Sequence, residues 1–199
     1  MTQARLILDI QSFWHPGTGR GAGTALDALT HRDSAGLPVL PGRTLKGLLR
    51  DAVARAAMLG WYDGADPSHL LFGWRPSESG ETCPAYLAAR GALRVSDAAL
   101  PQEIVAYLTA TPKLLPGLYR THFCTAVDYA TGTAKEKSLR GEEIIVPLEL
   151  VAQVTEVPGA KPPTEWPDTL GLALPLLRGL GAQRNRGLGR VVAKLEVMQ

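Results

Sequence analysis

The stretch Thr44 to Leu59 constrains this chain more than any other. Leu45, Leu48, Leu49, Ala52, Val53, Ala56 and Ala57 recur at helical spacing and make one apolar stripe, with Lys46, Arg50 and Asp51 off it. Pro41-Gly42 ahead of it supply a turn, and Gly60 behind it supplies a stop. A helix with one apolar face must bury that face against another layer. Strands are available for this at both ends of the chain. In residues 4–14, Leu6, Leu8 and Ile10 alternate with Ile7, Asp9 and Gln11, and the closing RVVAKLEV alternates strictly. The pattern predicts an α+β domain built around an antiparallel sheet.

Shorter elements fill the interval. Residues 66–73 read as a short helix with Asp66 as its N-cap and Pro67 at its first position. Residues 92–97 read as a strand and Pro101 to Leu108 as a helix. Phe123–Val127 and Ile144–Val154 carry strand-type residues around the polar, basic Asp128–Gly141, which predicts a long hairpin. A second apolar helix, Trp166 to Leu180, is interrupted by Pro175. The 199 residues suit a single domain, 1–199, with insertions expected at about 15–43, 74–90 and 111–147.

Composition excludes several classes. With 45% hydrophobic residues and a net charge of +2 the chain is not disordered. No run of about 18 apolar residues exists, so no membrane span is expected. Arg5 and Asp9 interrupt the first apolar segment, which therefore reads as a strand and not as a signal peptide. Cys83 and Cys124 form no C-x-x-C pair, so neither a disulfide framework nor a cysteine zinc site is expected, and a reduced cytoplasmic location is the default.

The small net charge conceals a sorting. Residues 15–50, 113–140 and 178–190 hold 14 of the 21 bases and 4 of the 19 acids, leaving 7 bases against 15 acids elsewhere. These segments are rich in Gly and Pro, so the positive charge lies largely on loops of an otherwise acidic scaffold. Such an arrangement suits a polyanion, and equally suits solvated loops kept basic for solubility.

Other chemistries find little support. Gly17, Gly19 and Ala22 fit a G-x-G-x-x-A dinucleotide pattern, but no helix follows at once and there is no G-K-[ST] element. His15, His31, His69 and His122 are scattered, with no metal-ligand spacing. There is no G-x-S-x-G nucleophile motif. Trp14, Trp61, Trp74 and Trp166 adjoin apolar segments and read as core, not as base-stacking platforms.

Four stretches in order carry a resemblance. They are a Gly-rich loop ending in Asp27; LPVLPGRTLKGLLRDAV, 37–53; RTHFCTAVDYATGTAKEKSLRGEEIIVP, 120–147; and GLGAQRNRGLGR, 179–190. Together they resemble the RAMP superfamily of CRISPR-associated proteins, whose hallmark is an R-G-x-G-R/K loop ahead of the last strand; Arg186 to Arg190 supply it. The LPxxPGxxLKGxxR block and the D-x-x-T-G-x-A-K-E pattern (Asp128, Thr131, Gly132, Ala134, Lys135, Glu136) look most like the repeated backbone subunit of type III effector complexes.

The resemblance implies an RRM-like (ferredoxin-like) core with an inserted β-hairpin "thumb". It implies copies stacked head to tail along a guide RNA, other effector subunits as partners, and complementary target RNA cut opposite each thumb. The family's catalytic aspartate falls on Asp27, since Asp27, Asp33 and Leu37 keep its spacing. Asp33 itself reads as a turn residue. A loop carboxylate can deprotonate a ribose 2′-OH or hold a divalent cation, Mg2+ or Mn2+, near the scissile phosphate; no organic cofactor is implied. Arg20, His31 and Arg32 are expected around Asp27. Arg43, Lys46 and Arg50 are expected on guide phosphates, Arg184, Arg186 and Arg190 on the guide backbone, and Lys135 and Lys137 on the thumb. The alternatives are a non-catalytic RNA-binding backbone subunit, and a precursor-RNA processing endonuclease with His31 or His15 as base. The chain departs from the family in having Arg43-Thr44 where small hydroxyl residues usually follow Pro-Gly, and in being short.

Overall fold

The computed structural model describes residues 2–23, 26–73 and 90–198. Trp74, Cys83 and the insertion expected at 74–90, apart from Arg90, lie outside these residues.

Strand β1 (Gln3–Ile10) is central. It pairs antiparallel with β5 (Leu148–Glu156) on one side and β6 (Val191–Met198) on the other. The short β2 (Leu93–Val95) pairs with the far edge of β5, so the order is β2-β5-β1-β6. Alternation sends Ala4, Leu6, Leu8 and Ile10 of β1 and Leu150, Ala152 and Val154 of β5 into the interior. There they meet Leu45, Leu49, Ala52, Val53 and Ala56 of helix α1 (Gly42–Met58) and Trp166, Leu170 and Ala173 of helix α4 (Trp166–Ala173). Each such leucine contributes roughly 1.5–3 kcal/mol on burial, so the stripe read from the sequence is what fixes α1 to the sheet.

The start of α1 is fixed independently. The Gly42 amide donates to Asp97 Oδ1 at 2.6 Å, and a Cβ on Gly42 would run into the Ser96 backbone. Only glycine allows the helix to begin this close to the segment leaving β2. Helix α2 (Ser68–Phe72) follows, with Asp66 accepting from both the amide and the hydroxyl of Ser68. Among the described residues, no helix is long and apolar enough to cross a membrane.

Several elements differ from expectation. After helix α3 (Gln102–Ala110) the chain makes tight 3-10 turns over Pro112–Leu118, where Pro112 and Pro116 supply no amide for a regular helix. Strand β3 (Tyr119–Cys124) begins four residues before the expected Phe123 and pairs with β4 (Arg140–Ile145). The expected strand Ile144–Val154 is therefore two strands in different sheets. Pro147 lies between them and cannot donate to either ladder, and the Val146 amide goes instead to Leu118 O. Similarly, the expected helix 166–180 stops at Ala173, with a 3-10 turn at Leu174–Leu176 around Pro175. Trp14 and Trp166 are fully buried, whereas Trp61 is 40% exposed.

Candidate nucleic-acid interface and active site

Residues 11–40 run outside the main sheet and attach to β4 rung by rung. Trp14 exchanges backbone bonds with Ile145, the Glu143 amide donates to Ala28 O, and the Asp27 amide donates to Gly141 O at 2.8 Å. Asp27 Oδ2 then accepts the Gly141 amide, also at 2.8 Å. The candidate catalytic carboxylate is thus held beside the last rungs of the β3–β4 ladder, where the 125–139 connection leaves it, and is exposed there.

Two positions along β4, Glu143 is buried beneath this loop. Its Oε2 accepts from the Thr30 amide at 3.1 Å and from the Thr30 hydroxyl, and its Oε1 pairs with Arg32 Nη2 at 2.5 Å. The Arg32 guanidinium lies 3.6 Å above the centroid of the Tyr119 ring. Tyr119 donates its hydroxyl to Gly36 O at 2.6 Å. Burial, opposed by Arg32 and aided by Glu143 and Asp33, pushes the Tyr119 phenol up to about 12. Arg32 is therefore committed to Glu143 and Tyr119. Asp33 closes a turn by accepting from the Ala35 and Leu37 amides, each at 2.9 Å. His15 is buried, with Nδ1 2.5 Å from the Glu143 carbonyl oxygen, so Nδ1 carries the proton.

The hairpin tip is shaped by its motif. Asp128 Oδ1 accepts from the Ala130 amide, the Asp128 amide donates to Thr133 O, and Gly132 takes a positive φ of 71°. Asp128 is thus a turn former. Lys135 and Lys137 are exposed beyond it, Lys137 at φ 56°, and Tyr129 at the tip is fully exposed.

The Gly-rich loop closes onto the same corner. The Gly189 amide donates to Phe13 O and the Ala182 amide to His15 O. Gln183 donates to Glu142 Oε2, next in sequence to the residue that holds Asp27. Arg184 to Arg186 form a 3-10 turn, and Arg184, Arg186 and Arg190 are all exposed. Burial and the Glu142 charge raise the Cys124 thiol, which bonds Glu142 Oε1, while Arg140 and Arg186 oppose this. The first loop, the turn-side rungs of β4 and the Gly-rich turn thus meet at one corner, with Asp27 on it.

The other candidates are more dispersed. Arg20 is exposed on the first loop, its amide bonded to Thr18 Oγ1. His31 is half-buried and lines a cavity of about 260 Å³ with Thr44, Leu48, Gly181 and Arg184. Arg43 is exposed at the start of α1, Arg50 is half-buried, and Lys46 donates to Leu93 O at 3.0 Å. Burial, aided by the neighbouring charge of Arg50, lowers the Lys46 ammonium below the usual lysine range. Glu142, Glu143, Tyr119 and Gln183 were not singled out from the sequence. The one signal for Glu142 and Glu143 is a pair of acids opening an apolar strand, EEIIV; Tyr119 and Gln183 carry none.

The sheet face away from the helices presents Arg5, Ile7 and Asp9 of β1, Glu149, Val151 and Gln153 of β5, and Val192, Lys194 and Glu196 of β6. No aromatic residue stands at these positions and the charges are mixed. This face is not built to stack bases, which leaves the loops as the basic surface.

A small antiparallel sheet backed by two helices, with a hairpin inserted before β5 and a Gly-rich turn before the last strand, defines a mixed α/β fold. A family model for the RAMP superfamily matches residues 8–192, and the chain belongs to that superfamily. Among solved structures, the fold is similar to a chain in the cryo-EM structure of the type III-B Cmr-beta bound to cognate target RNA. The TM-score is 0.64 at 16% identity, covering 100% of this chain and 61% of that one. It is also similar to a chain of the type III-B Cmr-beta in its apo state, with TM-score 0.61, 12% identity and coverage of 99% and 97%. This chain thus spans 61% of the length of the first of these relatives. At such identities the likeness is one of fold. No curated protein matches the sequence.

Proposed function

We propose that the chain is a guide-RNA-binding backbone subunit of a cytoplasmic type III effector complex and that it cleaves complementary target RNA through Asp27. The observation that carries this reading is an exposed carboxylate bonded to β4 where the hairpin's connection leaves the β3–β4 ladder, in a member of the RAMP superfamily. The strand order β2-β5-β1-β6, with a helix following β1 and another preceding β6, supports an RRM-like core, and the β3–β4 hairpin supports a thumb. Copies of the chain stack head to tail along the guide, with other effector subunits at the ends. Such an open, heterologous arrangement lets one subunit type line a long RNA.

In this reading a thumb separates bases of the guide–target duplex and lets a flanking nucleotide swing out. The Asp27 carboxylate takes the proton of the target's 2′-OH. The 2′-oxygen forms a bond to the adjacent phosphorus as the P–O5′ bond breaks, giving a 2′,3′-cyclic phosphate and a 5′-oxygen that gains a proton from water. In this reading Arg140, next in sequence to the Gly141 that holds Asp27, and Arg186 of the Gly-rich turn offset charge on the phosphorane.

No group of three or more His, Cys, Asp or Glu forms a metal cage among the described residues. Asp27 fits a hard divalent cation as one oxygen ligand, the remainder coming from RNA phosphate and water. When bound, Mg2+ or Mn2+ would act there as a Lewis acid on the phosphate.

The test is to purify the subunit with its neighbours from cells carrying a CRISPR array and to offer labelled RNA complementary to the bound guide, with and without divalent metal. Evenly spaced cuts, lost in Asp27→Asn while the complex stays intact, are expected. Tight target binding without cuts would leave a purely structural backbone subunit. Absence of any co-purifying guide would overturn the reading as a whole.

A further inference from the structure

The main sheet ends on one side at β6, which runs for eight residues, against three for β2 at the other edge. The Gln11 amide bonds Arg190 O, so strand alternation turns the backbone groups of residues 192, 194, 196 and 198 toward β1. Those of Val191, Ala193, Leu195 and Val197 point outward. The Val191 amide meets Arg178 O there, where Gly179 bridges to Arg190. Among the described residues, no backbone hydrogen bond reaches the outward groups of Ala193, Leu195 and Val197. A row of unpaired N–H and C=O groups of this kind is a template for another strand.

The side chains of β6 select which strand fits. Lys194 and Glu196 are exposed on the same face, on either side of Leu195. Let a second β6 run antiparallel along the first, with Leu195 opposite Leu195. The outward groups then bond in pairs, Ala193 with Val197 and Leu195 with itself, and Lys194 of each copy faces Glu196 of the other. Opposite charges directly across a ladder attract, whereas like charges repel. Moving the axis by one residue sets Lys194 opposite Lys194, or Glu196 opposite Glu196. The exposed apolar residues Val192, Val197 and Met198 obey the same register. It places Val197 and Met198 of one copy opposite Ala193 and Val192 of the other, which line a cavity of about 480 Å³ with Leu174, Pro175 and Leu177.

We propose that the open edge of β6 is an interface to a second copy of the chain, two sheets joining through antiparallel β6 strands about a twofold axis at Leu195. The same patch serves both copies, so the contact closes at two and does not propagate. Pairing β6 with β2 of another copy would match three residues only and leave most of the edge open. The interface uses none of the residues assigned to RNA, and it stands apart from the head-to-tail stacking along a guide.

Sedimentation equilibrium of the full chain over a dilution series, free of RNA, measures the association for the wild type, K194E and E196K. Both side chains are exposed, so neither swap disturbs the core. Each variant sets two like-charge pairs across the ladder, and its dimer should be about tenfold weaker than that of the wild type. Mixed in equal amounts, the two variants restore opposite charges at both pairs, and the mixed dimer should regain wild-type strength. In the wild-type dimer the amides of Ala193, Leu195 and Val197 should exchange more slowly than in the diluted monomer, while those of Lys194 and Glu196, already bonded to β1, stay as they were. A wild type that remains monomeric throughout the series overturns the proposal. So does a dimer that neither variant weakens, because the copies then meet elsewhere. Neither result bears on the RNA reading, which the cleavage test decides separately.

Discussion

Asp27 and Gly141 bond each other twice: the Asp27 amide donates to the Gly141 carbonyl, and the Gly141 amide donates to the Asp27 carboxylate, both at 2.8 Å. One oxygen of the candidate catalytic group is therefore also a structural acceptor for a buried strand amide. Asp27→Asn retains an amide oxygen to accept that bond, so it should remove cleavage with little change in stability. Asp27→Ala leaves the Gly141 amide unsatisfied and should cost about 1–3 kcal/mol besides. Denaturant melts of the two variants, read alongside cleavage gels, separate the two roles. Equal stability of both variants would show that the hydrogen bond does not hold the loop.

Glu143 should prove a positioning residue. It is buried and joins Thr30 and Arg32 to β4, thereby bracing the loop that carries Asp27. Glu143→Ala leaves Arg32 and Thr30 without their acceptor and is expected to cost about 3 kcal/mol, discounted because Arg32 is partly exposed. Amide hydrogen exchange should rise at residues 27–33, and cleavage should fall while guide binding persists. Unchanged exchange in that segment would rule the bracing role out.

Much of the scaffold was legible because burial enforces periodicity. The α1 stripe and the alternation in β1 and β6 each point to the face that the structure buries. What escaped the sequence was pairing. Residues 144–154 read as one strand because β4 and β5 are both apolar, and only the pairing partners show that Pro147 divides them. The site was legible in part: the motifs mark both Asp27 and the hairpin pattern, but nothing in their order reveals that β4 carries the residue holding Asp27, 114 positions away. Glu143 was hidden for the same reason. A buried acid is recognisable only through its partners, here 111 and 113 residues away in the chain.

The two glycines of the R-G-x-G-R turn should behave differently. Both have positive φ, 89° at Gly187 and 71° at Gly189. A Cβ on Gly187 meets nothing within 4 Å, whereas one on Gly189 would run into the Leu180 carbonyl oxygen. Gly187→Ala should therefore cost only the backbone strain, about 1–2 kcal/mol. Gly189→Ala adds overpacking and should cost about 3 kcal/mol or more. Thermal melts of the pair check this, and equal costs would mean that the turn relaxes around the added methyl.

Tyr119 supplies a pH test of the same corner. Burial, then the charges of Glu143 and Asp33, favour its neutral phenol, and the folded value of about 12 lies above the ordinary 10. A raised acid stabilises the fold in its protonated form. The contribution is complete below pH about 10 and is lost as pH rises from there through about 12. Tyr119→Phe cannot ionise, and it lacks the hydroxyl bond to Gly36 O. The wild type should thus be the more stable protein at pH 8–9, by about 1 kcal/mol for the hydrogen bond, and its advantage should shrink between pH 10 and 12. Urea midpoints of both proteins at pH 9, 10 and 11 give the comparison directly. A difference that stays constant across that window would mean that the phenol ionises at its ordinary pH and that the Arg32–Tyr119 stack is open to water.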